Sequence, residues 1–530
     1  MNKIVLILLL TCCLSKVYAQ VEYESIIAFE QDEYWWGGVV GYGSQMPYIK
    51  PVNEFNLALQ NQNNQVVPLF LSNKGRYVWS EFPFKFRIED KSLIITSEYE
   101  EIAVNKAGTT LKSAYLTACR KHFPASGVLP DPLFFSTPQY NTWIELVYNQ
   151  NQQDILKYAQ SIIDNGFPPG VLMIDDNWQK YYGNFEFKTD RFPDPKGMID
   201  ELHAMGFKVM LWVCPFVSAD SPEYRELSSK QYLIKKKGSK TPAIIHWWNG
   251  QSACFDLTNP EAYDYYVSAL KKMQSVYGID GFKLDAGDNS FYDPKYIDSY
   301  KKNALSTDHT LSWAKIGLEF PFNEYRAGWK MGGQALVQRL GDKNYSWKNG
   351  VQLLIPEMLA AGLMGYSYTC PDMIGGGQYG SFLNIESDKF DQNLIVRSAQ
   401  VHALMPMMQF SVAPWRILNK DNLETVKQAA LLHKQFGDYI IDLAKESSVT
   451  GEPIVRHMEY VFPDQNFAEC KDQFMLGDKY LVAPVLTPEN SRSIKLPKGK
   501  WKDDEGKIYK GGQTITMNIP LNRLVYFEKL

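Results

Sequence analysis

"DGFKLDAGDNS", residues 280–290, is a short apolar run that ends in acid. With a period of two, Phe282 and Leu284 face one way, Lys283 and Asp285 the other, and Asp288 follows just past Gly287. Buried charge is costly unless it is paired or used. Two explanations compete: a strand end that reaches water with its charges solvated, or a strand that holds a reactive carboxylate. The neighbours favour the second. "GVLMIDDNW" (170–178) and "FKVMLWVCPF" (207–216) are near-continuous apolar runs of the same kind. Ahead of these three runs and between them lie helical stretches, "DILKYAQSIIDNG" (154–166), "MIDELHAMG" (198–206) and "EAYDYYVSALKKMQSVYG" (261–278). Strand and helix in alternation imply parallel strands buried on both faces. About 300 residues of this pattern favour an α/β fold built on a (β/α)8 TIM barrel over an open sheet.

The barrel pattern has β-rich flanks. Residues 20–127 carry short alternating runs such as "SLIITSEYEEIAV" (92–104), and 445–530 return to runs such as "KYLVAPVL" (479–486) and "RSIKLPKGKW" (492–501). The expected organisation is a leader at 1–19, an N-terminal β domain at 20–127, the barrel at 128–444 and a C-terminal β domain at 445–530, the flanking domains being sandwich-like. A chain of 530 residues is too long for one core, which agrees with several domains. "PLFFSTPQYNTW" (132–143) is expected to be the first barrel strand.

The leader has Lys3 ahead of the apolar run Ile4–Leu10 and a small-x-small site at Val17-Tyr18-Ala19. It implies export to the periplasm or cell surface of a bacterium, with Cys12 weakly resembling a lipoprotein box. No later run is long enough to span a membrane. A net charge of −4 lends no support to nucleic-acid binding. Beyond the leader the cysteines are Cys119, Cys214, Cys254, Cys370 and Cys470, scattered and never CxxC, so neither a zinc cluster nor a disulfide framework is suggested. Aromatics make up 14% of residues, with 13 Trp and 32 Tyr. Most must pack the core; some are candidates for stacking on sugar rings.

In a (β/α)8 barrel, reactive groups sit at the C-terminal strand ends. Here these are Asp175 and Asp176, then Trp212, then Asp285 and Asp288. "ALVQRLGD" (335–342) ends in Arg339 and Asp342 with Trp347 beyond, and "GYSYTCPDMIGG" (365–376) carries Asp372. Any one acid could cap a helix. Acids and indoles recurring at one end of successive strands suit glycosidic-bond cleavage, which needs one carboxylate at the anomeric carbon and one carboxylic acid on the leaving oxygen. Lys283 or Arg339 could keep the first ionised. Asp288 is expected to orient its loop. Neither a metal nor an organic cofactor is required.

These motifs resemble glycoside hydrolase family 31. "GFKLDAGD" is similar to the family's nucleophile motif, and the segment from "RLGD" to "PDMIGG" is similar to its acid/base region. "VPLFLSNKGRYVW" (67–79) looks like the N-terminal β-domain signature; "GEPIVRHMEYVFPD" (451–464) and "DQFMLGDKYLVAPVL" (472–486) look like the C-terminal entry. The resemblance spans nearly the whole mature chain. It implies Asp285 as nucleophile and Asp342 as acid/base, Asp175 and Asp176 as ligands of sugar hydroxyls, and Trp212, Lys283 and Arg339 beside them. Trp347, Asp372 and Trp36 complete the expected substrate-binding set, Trp36 on the premise that an N-terminal loop reaches the barrel mouth. Core packing is the equal alternative for that residue.

Within the family the likeness is to the branch with bacterial α-galactosidases and the mammalian myogenesis-regulating glycosidase, through "GFKLDAG", "PDMIGG" and "MPMMQFSVAPWR" (405–416). Family α-glucosidases carry Arg-x-His at the last of these; this chain has Met405-Pro406-Met407-Met408-Gln409, and nearby His402 is expected to pack or cap. The "RLGD" spacing is also shorter than the usual form. The implied activity is a retaining exo-α-galactosidase acting on an α-linked oligosaccharide or glycoside. Alternatives are α-glucosidase, α-xylosidase, α-N-acetylgalactosaminidase or sulfoquinovosidase activity, or an inactive sugar-binding surface protein.

Overall fold

The computed structural model describes residues 22–383 and 389–530. The expected leader, with Cys12, lies outside them. Eight parallel strands form the central sheet: β1 (Gln139–Asn141), β2 (Val171–Ile174), β3 (Lys208–Val213), β4 (Gly281–Leu284), β5 (Phe322–Tyr325), β6 (Gln338–Arg339), β7 (Thr369–Cys370) and β8 (Gln409–Phe410). They pair in sequence order, and β8 returns to β1. A parallel bridge between Met373, just past β7, and Gln409 of β8 closes the ring. The (β/α)8 barrel is therefore as expected.

The helices form where the chain gives them both a cap and a stripe. Asn151 accepts a hydrogen bond from the Asp154 N–H and opens helix Gln152–Asp164, which buries Ile155, Tyr158, Ala159 and Ile162 at helical spacing. Asn259 and Pro260 start Pro260–Tyr277, and Gly278, at φ 81°, ends it. The barrel's closing helix, Lys420–Thr450, runs past position 444 and stops at Gly451.

One strand is shorter than its apolar run. Leu133–Ser136 is a helical turn, started by Pro132 and by the Asp131 carboxylate on the Leu133 N–H. Thr137, ahead of Pro138, is held extended, so β1 begins only at Gln139. Strands β5 and β8 have no apolar signature, because β5 carries two buried polar residues, Glu324 facing Gln409 and Arg339 in the barrel and Asn323 bonded to the Phe320 and Ala335 carbonyls, and β8 is two residues long.

β-Sheets flank the barrel on both sides of the sequence. N-terminally, one sheet comprises 23–28, 92–97, 85–89 and 52–56. Another is built on 65–72, to which Gly328–Trp329 from the loop after β5 adds a parallel strand. C-terminally, a six-stranded sheet and a two-stranded sheet lie between 455 and 529. Cys119, Cys214, Cys254 and Cys370 are buried free thiols. No helix among the described residues is long and apolar enough to cross a membrane.

Candidate active site

The C-terminal strand ends converge on a cavity of about 370 Å³. Asp175, Asp176, Trp212, Lys283, Asp285, Arg339 and Asp342 all border it, so seven residues from the sequence share one site. Beta-strand geometry brings them together, because parallel strands in register present their last residues on a single rim.

Asp285 leaves β4 with its backbone N–H donating to Val213 O at 2.9 Å. Its Oδ1 accepts from the Ala286 N–H (2.8 Å) and from Arg326 Nε (3.2 Å); its Oδ2 accepts from Trp212 Nε1 (3.0 Å). Burial by itself would raise this carboxyl. The charges of Arg326, Lys283 and Arg339, with the indole N–H, outweigh it and hold Asp285 well below the usual carboxylate range. The turn that follows is strained. Ala286 sits at φ 60°, and Gly287 at φ 77° has no room for a side chain, since a Cβ would lie 2.1 Å from the Trp313 ring.

Lys283 pairs with Asp175 rather than with Asp285, at 2.5 Å, both buried. The cation beside Asp285 is Arg326, at the end of β5, whose terminal nitrogens form a bidentate pair with Asp288 at 3.0 and 2.7 Å. Asn61 Nδ2 also donates to Asp288, at 2.7 Å. Asp288 thus anchors Arg326 and the N-terminal loop.

Asp342 faces the cavity with 33% of its side chain exposed, and Arg339 Nη1 donates to its Oδ1 at 2.6 Å. Burial pulls its carboxyl up, Arg339 and Lys283 pull it down, and the cations prevail. Arg339 has two more anions within reach, Asp372 at 3.2 Å and Glu324 at 3.8 Å. Asp176 contrasts with all of these. Burial and the adjacent Asp175 raise it to about 7, against hydrogen bonds from Asn249, Tyr182 and the Asn177 N–H.

Three expected substrate ligands are placed differently. Trp36 lies in strand Trp35–Val39, only 2% exposed, with its ring edge-on to His457 at 5.4 Å. It packs the N-terminal core because its strand pairs with 65–72 and turns it inward. The N-terminal residue that reaches the cavity is Asn63, from the polar loop 61–64, where Gln62 and Asn63 take left-handed φ of 52° and 56°. Trp347 does not border the cavity; its indole N–H is spent on Asp391 at 2.8 Å. Asp372 is fully buried behind the rim, where it receives Arg339, the Lys343 N–H and the Gly377 N–H. Burial, opposed by Lys343 and Arg339, raises it to about 6. His402 is buried between Ser398 O and Asp372 O, as a packing residue.

Sequence reasoning missed Arg326, because β5 shows no apolar run. It also missed Tyr148 and Tyr379, which with Trp143 form an aromatic rim on one side; Trp248, 49% exposed, stands on the other, as two adjacent Trp on a loop suggest for a ligand or an interface. "HWWNG" (246–250) was the available signal. It forms a hairpin turn whose Trp247 packs inward on Phe216 at 4.3 Å while Trp248 lies over the Arg326 guanidinium at 5.5 Å. Among the described residues, no group of His, Cys, Asp or Glu is arranged to hold a metal ion.

Residues 135–443 match the family model for the glycosyl hydrolases family 31 TIM-barrel domain, and 451–529 match that for the glycosyl hydrolase family 31 C-terminal domain. Over 431 residues the chain is 32% identical to the myogenesis-regulating glycosidase of Mus musculus, covering 79% of this chain and 60% of the mouse protein. Over 395 residues it is 26% identical to an alpha-xylosidase of Lactiplantibacillus pentosus, covering 71% and 50%. The chain thus matches 50–60% of the length of these two curated relatives. Its fold superposes on a dextranase of Flavobacterium johnsoniae complexed with glucose, with a TM-score of 0.83 at 20% identity over 96% of this chain and 66% of that one. It superposes equally, at 0.83 and 22% identity, on a soil-metagenome alpha-xylosidase complexed with xylose, over 96% and 79%.

Proposed function

The chain belongs to glycoside hydrolase family 31, and from that premise we propose that it is a retaining, exo-acting α-glycosidase whose released sugar is galactose. The observation that carries the proposal is the unequal placement of two carboxylates on one cavity. Asp285 is enclosed by cations and an indole N–H, while Asp342 stands at the open side.

In the proposed reaction Asp285 is the nucleophile. Its Oδ1 holds two donors and its Oδ2 one, so Oδ2 keeps the freer lone pair for the anomeric carbon. As the Oδ2–C1 bond forms, the bond from C1 to the leaving oxygen breaks and the Asp342 proton passes to that oxygen. Water then attacks C1, gives its proton to Asp342 and releases the sugar with its configuration retained. Asp342 must take up a proton before the first step. Arg339 remains compensated while it does so, because Asp372 and Glu324 also face it. A cavity of about 370 Å³ lies at the small end of ligand pockets and suits one terminal sugar unit.

Galactose is favoured by the likeness at 405–416 to the branch with bacterial α-galactosidases, and the identity is greater to the myogenesis-regulating glycosidase, of that branch, than to the alpha-xylosidase. Met405, Met407 and Met408 are buried, so the α-glucosidase Arg-x-His has no counterpart there. A sulfonated sugar is disfavoured, because Lys283, Arg326 and Arg339 each already face a carboxylate. The residues of the leader support export as part of the same proposal. The test is release of nitrophenol from the α-galactoside, α-glucoside, α-xyloside and α-N-acetylgalactosaminide, with Asp285→Asn as control. Preferential cleavage of the galactoside, lost in the variant, is expected. Preference for another sugar would overturn the specificity, and silence on all four would overturn the enzymatic proposal.

A further inference from the structure

The hairpin of Ile245–Trp247 and Gly250–Cys254 lies in the excursion between β3 and helix Pro260–Tyr277, and its two-residue turn is Trp248–Asn249. Asn249 spends its whole side chain on the site. Its Nδ2 donates to Asp176 Oδ2 at 2.6 Å and to Tyr182 Oη at 2.9 Å; its Oδ1 accepts from Tyr148 Oη at 2.8 Å. The Asp176 carboxylate fixes which end of the amide faces it, because an ionised carboxylate only accepts, and the Tyr148 phenol then donates to the amide oxygen. Tyr148 is itself held: its carbonyl accepts from Asn177 Nδ2 at 2.5 Å and Arg191 Nη1 at 2.8 Å, and its ring stands edge-on to Trp143 at 5.4 Å.

We propose that Asn249 is a positioning residue for sugar recognition, clamping the Asp176 carboxylate so that it accepts from a hydroxyl of the bound glycone. The inference rests on the cavity being the glycone pocket. Asp175, next in sequence, has Lys283 to orient it; the donors to the Asp176 carboxylate are all neutral, and Asn249 is the nearest of its side-chain donors. The hairpin does not need the amide for its own pairing, since the backbone register Trp247↔Gly250 closes the turn. The side chain is therefore free to serve the pocket.

The groups that face Asp176 are Asp175 from the end of β2, Tyr182 and Lys188 from the loop after it, Cys214 from the end of β3 and Tyr148 from the loop after β1. Asp175 is compensated by Lys283, and both tyrosines are raised, to about 12 for Tyr148 and further for Tyr182. Asp176, raised to about 7, stands near neutral pH, while burial lowers Lys188. Asp176 accepts from the sugar more strongly when ionised, so kcat/KM falls as pH drops below about 7. Asn249 donates to the ionised form, so its removal raises the Asp176 pKa and moves this acidic limb to higher pH.

The experiment compares wild type, Asn249→Ala and Tyr148→Phe by steady-state kinetics across pH on the best glycoside, and by intrinsic-fluorescence titration of the free sugar in an Asp285→Asn background. Asn249→Ala is expected to raise KM and the sugar Kd about tenfold, to leave kcat within about threefold, and to move the acidic limb up by about one pH unit. Tyr148→Phe shifts the same quantities the same way by about threefold. An unmoved limb with unchanged KM in Asn249→Ala, while wild type remains active, overturns the inference and leaves the proposed function standing. A fall in kcat alone also overturns it. A wild type that neither cleaves a glycoside nor binds a sugar removes the glycone-pocket premise and the inference with it.

Discussion

The ends of β2 and β4 each carry two acids, and the two pairs live in opposite surroundings. Past β4, Asp285 and Asp288 share Arg326, and Asp285 also takes the Trp212 indole N–H. Past β2, Asp175 has Lys283 as its partner, but Asp176 has only neutral ones. The first end holds its cavity-facing carboxyl, Asp285, well below the ordinary range, and the second lets one rise to about 7. Asp285 and Asp176 are both aspartates within two residues of a strand end. What differs is whether a guanidinium or an amide comes in from the next loop, and that decides which acid suits a permanent anion and which a titrating acceptor.

The comparison can be broken at its strongest point first. Asp285→Asn removes the nucleophile and should lower kcat on the order of 10⁴-fold or more, measured on the preferred glycoside, with sugar binding retained. Turnover at the wild-type rate would disprove the assignment. Next, Arg326→Met leaves Asp285 and Asp288 without their shared cation. Breaking a buried pair in this way costs about 3–5 kcal/mol, readable in denaturant unfolding, and turnover should fall as the Asp285 carboxyl rises. A variant as stable as wild type would show that Arg326 is not the group that settles these acids.

Asp176→Asn sharpens the contrast from the other end. The Asp176 carboxyl is raised from 3.8 to about 7, so ionising it in the folded protein costs stability. The cost is absent below about pH 4, grows between 4 and 7, and is complete above 7. Replacing it by Asn should therefore raise stability at pH 8, by at most about 4 kcal/mol, with little gain at pH 4, while sugar affinity falls. A loss of stability at pH 8 would contradict the unpaired state of this acid. The smallest effect belongs to charge at the surface. Lys196 and Asp200 form an i,i+4 pair with both side chains more than half exposed, and Lys196→Ala should shift the unfolding free energy by no more than about 0.5 kcal/mol.

The strand ends were legible because periodicity and apolar runs locate a strand, and a barrel puts its functional residues at the ends. Asp175, Asp176, Trp212, Lys283, Asp285, Arg339 and Asp342 were found this way and share the cavity. Trp36 and Trp347 were misplaced because an indole looks alike in sequence whether it faces a core, a helix start or a sugar. Arg326 was hidden because β5 is short and half polar, with Glu324 in the barrel interior, where it meets Gln409 at 2.8 Å. Asn249 stood in a visible motif, but nothing local says that its amide turns toward Asp176.

By itself the sequence determined the elements and the acids: hydrophobic spacing sets strand and helix, and the chain supplies carboxylates where strands stop. The tertiary structure alone decided their protonation and their partners. Arg326 is 41 residues from Asp285, and Asn249 is 73 from Asp176. The energy of a charge depends on what lies within a few ångströms of it. That distance is set by how the barrel closes, and no local pattern of residues contains it.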